Sequence, residues 1–162
     1  TAQLVMGDAL AICLMELSGF KAEDFARSHP GGALGKALNI QLGHLLQPHK
    51  KPAVTPDTPI KAVISEISTK LVGATAVVQD HQVVGVITDG DLRRMMQSVD
   101  DFSSLKARDI MVEKPIVLSS ETLAKKALTL MQEKEISQII VKDTHAYMGI
   151  VHIHDILNEG IY

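Results

Sequence analysis

The sequence predicts an α/β (α+β) fold of two tandem β-α-β-β-α units, arranged as a pseudo-two-fold pair and preceded by a helical segment. Two observations carry this prediction. A unit of about 45 residues occurs twice, and each copy ends in a glycine-bearing apolar strand running into an acidic helix start. The first ends Val84-Gly85-Val86-Ile87-Thr88-Asp89-Gly90-Asp91-Leu92, the second Met148-Gly149-Ile150-Val151-His152-Ile153-His154-Asp155-Ile156. Gly85 and Gly149 lie 64 residues apart, and the same spacing joins Asp91 to Asp155, Thr55 to Ser119, Thr58 to Thr122, Lys61 to Lys125 and Val77 to Val141. Units this small are marginal alone, so each is expected to bury its apolar face against the other. Function should lie where the two strand-to-helix junctions approach.

Taken in order, residues 1–18 read as a helix, with Leu4, Val5, Ala9, Leu10, Ile12, Cys13, Leu14 and Leu17 apolar and Gly19 closing it. That surface exceeds one narrow stripe, so the helix is expected to pack against further protein. The chain starts at Thr1 inside this pattern and reads as a piece of a longer protein. A short helix around Ala22–Ala26 and the turn-rich Ser28-His29-Pro30-Gly31-Gly32 follow, then a helical stretch over 33–46. Residues 47–59 hold four prolines and read as a connection with one short strand near Ala53–Thr55.

In the first unit Thr58 is the expected N-cap and Pro59 the first helical position. Ile60, Val63, Ile64 and Ile67 then share one helical face. Strands are expected over 74–78 and 83–87 around a polar turn, and a helix from Asp89 to about Ser98. Residues 100–104 form a linker, and Leu105–Met111 leads into the second unit. There Ile116–Leu118 reads as a strand, and Ser120 as the cap of a helix carrying Leu123, Ala124, Ala127, Leu128 and Met131. Strands near 138–142 and 147–151 and a short helix from His154 complete it.

Composition narrows the function. The 162 residues are 46% apolar, which suits a globular protein. Only 3% are aromatic, with no Trp, and the net charge is −3. That leaves neither the stacking platform nor the basic excess of a nucleic-acid binder. Cys13 is the single cysteine, so no internal disulfide is possible, and a reducing compartment is expected. No apolar run approaches a membrane span of about 20 residues and no signal peptide is seen, so a cytoplasmic protein without membrane partners is expected.

The duplicated strand-to-helix motifs, with the lead-in Ala107-Arg108-Asp109-Ile110-Met111, resemble the paired CBS domain, named for cystathionine β-synthase. The resemblance covers about residues 44–160. It implies a cleft between the copies that binds an adenine nucleotide or related ligand and reports metabolic state to an attached protein. Gly7-Asp8-Ala9-Leu10-Ala11, Gly19-Phe20, Glu23-Asp24-Phe25-Ala26 and Ser28-His29-Pro30-Gly31-Gly32-Ala33-Leu34-Gly35 resemble the end of a sugar-isomerase (SIS) domain. The combination is similar to bacterial D-arabinose 5-phosphate isomerases, which interconvert ribulose 5-phosphate and arabinose 5-phosphate on the route to Kdo and lipopolysaccharide. The implied domains are 1–43, the SIS remnant and linker; 44–104, repeat 1; and 105–162, repeat 2.

On this reading Asp91 can accept from the ribose hydroxyls, Thr88 adds a hydroxyl three residues earlier, and Arg93 and Arg94 bring positive charge beside a helix start. Plain helix capping is the competing role for Thr88 and Asp91. In the second copy Asp155 is kept but His152 stands at the Thr88 position, so one good site or two unlike ones are expected. His152, His154 and Asp155 would need a further ligand to hold a metal, and none is expected. His81 and His145 fall in polar turns and read as solvated. The resemblance implies that His29 serves the isomerase active site of the parent enzyme only, leaving this chain inactive alone and without a required cofactor. The expected ligand is CMP-Kdo, AMP or ATP. Self-association as a homodimer, or within a homotetrameric parent, is expected; the alternative is a dimerisation scaffold that binds no ligand.

Overall fold

The structure, a computed structural model, describes residues 1–162 apart from Pro30 and His145 and the side chains of Glu23, Ala33 and Leu34. The expected solvated turn at His145 therefore lies outside the described residues. The chain divides into two units, Thr1–Asn39 and Ile40–Tyr162.

The first unit holds α1 (Ala2–Ser18), α2 (Ala22–Ser28) and α3 (Ala33–Asn39). α1 stops at Gly19, whose left-handed φ of 63° lets the Gly19 and Phe20 amides turn back onto the Glu16 and Met15 carbonyls. Every residue of α1 is exposed, including Cys13, Leu10 and Leu17. α2 packs on α3.

The second unit contains α4 (Leu42–Leu45), β1 (Ala53–Val54), α5 (Ile60–Lys70), β2 (Ala74–Gln79), β3 (Gln82–Thr88) and α6 (Asp89–Ser98). It continues with α7 (Ala107–Ile110), β4 (Val112–Glu113), β5 (Val117–Ser119), α8 (Ala124–Glu133), β6 (Gln138–Lys142), β7 (Tyr147–His152) and α9 (Ile153–Asn158). Two sheets form, with strand orders β1-β2-β3-β4 and β5-β6-β7. In each, the first strand pairs parallel and the hairpin antiparallel, with a bulge at Val77/Val78 in one and Val141/Lys142 in the other. The first hairpin turns through Asp80 and His81, both at positive φ.

Strand alternation sorts the side chains into layers. Val77 and Ile87 face Ile60, Val63, Ile67 and Leu92 in the core of the first repeat. Ala74 and Ala76 point the other way and meet Ile140, Tyr147 and Ile150 of the second repeat. The sheets thus pack against each other through small residues on one side and larger ones on the other. Tyr147 donates to the Pro52 carbonyl at 2.6 Å, and burial pushes its hydroxyl pKa up.

The lead-in arms are exchanged between the repeats. The Ile60 amide donates to the Leu105 carbonyl and Ala107 to Thr58, while Ala124 donates to Ile40 and Leu42 to Thr122. Gln41 bridges Leu123 and Lys106 bridges Pro59. This exchange corrects two of the expected helix starts. Thr58 and Ser120 do not cap α5 and α8; Pro59 and Leu123 occupy the cap positions, without side-chain caps. A carbonyl of the exchanged arm takes the first helical amide in place of a side chain. It also explains why helix 33–46 breaks: the Ile40 carbonyl and Gln41 are committed to the α8 start. The second arm ends as β4, which joins the sheet of the first repeat. Asp57 takes both Lys106 and Arg108 of that arm, and the Lys106 hydrogen bond holds its carboxyl below the usual range.

Candidate functional site

β3 delivers Thr88 to the start of α6 in extended conformation, φ −111° and ψ 167°. The Thr88 hydroxyl accepts from the Asp91 amide at 3.3 Å and donates to Asp91 Oδ2 at 2.6 Å; the Thr88 amide donates to the same oxygen at 2.8 Å. Arg94 pairs with Asp91 Oδ1. Asp91 is 7% exposed, so both of its oxygens are committed inside the protein. The structure thus joins Thr88, Asp91 and Arg94 in one capping network.

Thr88 and Arg94 line a cleft of about 590 Å³ between the repeats, whose apolar lining includes Val86, Val112, Ile116 and Ile136. Asp89, Gly90, Lys114 and Glu135 also line it. Asp91 opens instead on a separate groove with Met95, Leu105 and Asp109, and Arg93 is exposed outside both.

The second junction has the same plan with different chemistry. The His152 amide donates to Asp155 Oδ2 at 2.9 Å, and His152 Nδ1 accepts from the His154 amide at 3.1 Å. The two imidazoles stack with centroids 4.9 Å apart. Together with Asp155 they line a cleft of about 330 Å³ that also holds Lys50, Gln138 and Asp89. Among the described residues no group of three His, Cys, Asp or Glu side chains is placed to hold a metal ion. His29 belongs to the first unit, where its ring stacks on Phe25 at 4.6 Å.

Burial, then the nearness of His154, lowers the His152 pKa, and Asp155 only partly opposes this. A histidine held neutral by the fold adds stability that is fully present above the ordinary imidazole value of about 6.5 and fades as pH falls below it. The melting temperature should therefore drop on acidification from pH 7 to 5. His152→Thr, which installs the counterpart residue, should flatten that dependence in a thermal-shift series.

Sequence reasoning missed Lys50, Lys114, Asp89, Gln138 and the loops at Leu71–Gly73 and Glu135–Ser137, all of which line the clefts. A signal was present. Lys50 and Lys114 obey the 64-residue spacing, as do Leu71 and Glu135. The latter two adopt the same left-handed conformation, φ 56° and 52°.

Two β-α-β-β-α repeats with exchanged arms and a pair of pseudo-equivalent clefts define a tandem-repeat module of the inter-repeat-cleft type. The CBS domain profile matches residues 43–98 and 107–161, and the chain belongs to the CBS domain family. It is 40% identical over 163 residues to the arabinose 5-phosphate isomerase KdsD of Yersinia pestis, and 39% to that of Escherichia coli K12. Both alignments cover 99% of this chain and 50% of the relative, so the chain spans about half the length of these proteins. Among solved structures, the CBS-domain protein NE2398 superposes with a TM-score of 0.68 at 22% identity, covering 76% of this chain and 98% of that one. CBSX2 in complex with AMP gives 0.63 at 21% identity (75% and 96% covered). PAE2072 of Pyrobaculum aerophilum complexed with AMP gives 0.64 at 20% identity (72% and 89% covered). These likenesses establish the fold.

Proposed function

We propose that this chain is the regulatory CBS module of a cytoplasmic arabinose 5-phosphate isomerase and that the cleft at Thr88 binds a nucleotide-type ligand. The observation that carries the reading is the 590 Å³ cleft, which combines an apolar lining for a base with the Thr88 hydroxyl and the Lys114 and Arg94 cations. Ile116 and Ile136 would sandwich the base, while Thr88 and Asp89 face the ribose hydroxyls. Lys114, which makes no ion pair among the described residues, would meet the phosphate; Arg94 would add to it while holding Asp91. The AMP-bound relatives of the same fold favour an adenine nucleotide. CMP-Kdo remains the alternative as a feedback ligand of the isomerase pathway, since it joins a ribonucleotide to the downstream sugar. In the whole isomerase, His29 would serve proton transfer between aldose and ketose.

Thermal shift with AMP, ATP, CMP and CMP-Kdo tests the reading. A ligand at 100 times its dissociation constant should stabilise by about 2.7 kcal/mol, a rise of roughly 5–10 °C for a chain of this size. Lys114→Ala should weaken the active ligand about 10- to 100-fold, the value of a charge-assisted contact. A cooperative melt that none of the four moves would instead support a non-binding dimerisation scaffold.

A further inference from the structure

The smaller cleft is not a second copy of the larger. We infer that the cleft at the β7–α9 junction is a site for a small phosphorylated polyol rather than for a nucleotide. Its lining differs from that of the larger cleft in three ways.

The first concerns room. At the 64-residue spacing His152 replaces Thr88 and His154 replaces Gly90. The two stacked rings occupy the space that a hydroxyl and a bare backbone leave open in the other cleft. The volume falls from about 590 to about 330 Å³, the small end of the range for ligand pockets. The second concerns the apolar part. Gln47 stands here where the corresponding arm of the larger cleft has Val112, and nothing in this lining matches Ile116; Leu45, Leu71, Val72 and Ile150 make up its apolar part. A purine would keep Val72, the counterpart of Ile136, but lose the second wall that Ile116 provides in the larger cleft.

The third concerns polar chemistry. Lys50 repeats the position of Lys114 and supplies an ammonium suited to one phosphate. His152 accepts through Nδ1, so its Nε2–H is the edge available to a ligand oxygen. Asp155 spends Oδ2 on the His152 amide and has no bond at Oδ1 among the described residues. With Asp89 and the Gln138 amide it offers acceptors and donors for vicinal hydroxyls. One cation, the His152 imidazole edge and three hydroxyl-pairing groups suit a sugar phosphate. Asp89, Gln138 and Ile150 line both clefts, so ligands in the two should alter each other's affinity reciprocally.

Calorimetric titration with D-ribose 5-phosphate, D-ribose, inorganic phosphate and AMP tests the assignment, with a circular-dichroism melt to confirm that each variant folds. Ribose 5-phosphate should bind, ribose and phosphate each at least tenfold more weakly, and Lys50→Ala should weaken the sugar phosphate at least tenfold. Lys114→Ala should leave it unchanged, which separates this site from the nucleotide reading of the larger cleft. His152→Thr/His154→Gly should reopen the cleft, lose ribose 5-phosphate and admit AMP. Ribose 5-phosphate binding that Lys50→Ala does not alter, phosphate binding as tightly as the sugar phosphate, or no heat from ribose 5-phosphate at millimolar concentration would overturn it. AMP binding to the unaltered protein that Lys50→Ala abolishes would do the same.

Discussion

Gly85→Val should lower the melting temperature by roughly 4–12 °C, a cost of about 2–3 kcal/mol at 2–4 °C per kcal/mol. Gly85 is buried in β3, between Val77 of β2 and Glu113 of β4. A Cβ built there would sit 2.7 Å from Met111 Sδ, 3.0 Å from its Cγ and 3.1 Å from its Cβ. The Met111 terminus can swing away, but its Cβ is fixed to the arm that follows α7, so the arm itself must shift. The same lead-in supplies, before α7, the Leu105 carbonyl that starts α5 and, after it, the strand that closes the first sheet. Valine should therefore loosen the whole lead-in. Gly85→Ala/Met111→Ala should recover part of the loss, and the coupling measured by the double-mutant cycle should be favourable. An unchanged melt for Gly85→Val would mean that the arm does not lie across β3. The second repeat repeats the device more gently, since a Cβ at Gly149 would meet Leu46 at its Cδ2 tip, 2.9 Å away.

This explains the glycines that first marked the repeat. Gly85 is small because the other repeat's arm crosses it; Gly149 meets the other arm too, and its φ of 158° independently favours glycine. The sequence showed the glycines and the 64-residue spacing, and from these the element order follows, because hydrophobic period and strand alternation are local properties. The exchange of arms was not legible. Ile40 to Met111 is one continuous stretch of chain, and nothing in the periodicity says whether an arm pairs with the unit it precedes or with the other. The arms correspond at a spacing of 65 rather than 64, Gln41 matching Lys106 where Pro59 matches Leu123, so they also drop out of the repeat that advertised itself. Helix caps at Thr58 and Ser120 were misread for the same reason. A local rule looks for a side chain, and the amide was satisfied by a backbone carbonyl distant in sequence.

The candidate site was half legible. Thr88, Asp91, His152 and Asp155 stood out because they sit in the duplicated motif and because their residue types cap helices or bind ligands. Lys50, Lys114 and the loops before β2 and β6 belong to the same spacing but lie in segments without periodicity, where residue type alone says little. Their value comes from tertiary placement: the loops meet across the interface between the sheets, and only there do Lys114 and Thr88 face one cavity.

Asp91→Ala should cost about 2–4 kcal/mol, or roughly 4–16 °C in melting temperature. The buried carboxylate takes the Thr88 amide and hydroxyl, and alanine leaves both unpaired at the start of α6. The Arg94 partner is largely exposed, so its lost pairing adds little. Asp91→Asn keeps an acceptor for the Thr88 amide and should lose about half as much. The consequence for binding separates two roles. If Asp91 touches the ribose, AMP should lose affinity in Asp91→Ala by the factor that wild type already loses with 2′,3′-dideoxy-AMP, and the variant should no longer tell the two apart. If Asp91 is a positioning residue acting through Thr88, both nucleotides should weaken together, and the discrimination should survive in the variant while falling in Thr88→Val. The closed hydrogen-bond network predicts the second pattern. Asp91 is not among the residues lining the cleft, and its Oδ2 is already held by the Thr88 amide and hydroxyl, so its effect on the ligand should pass through Thr88.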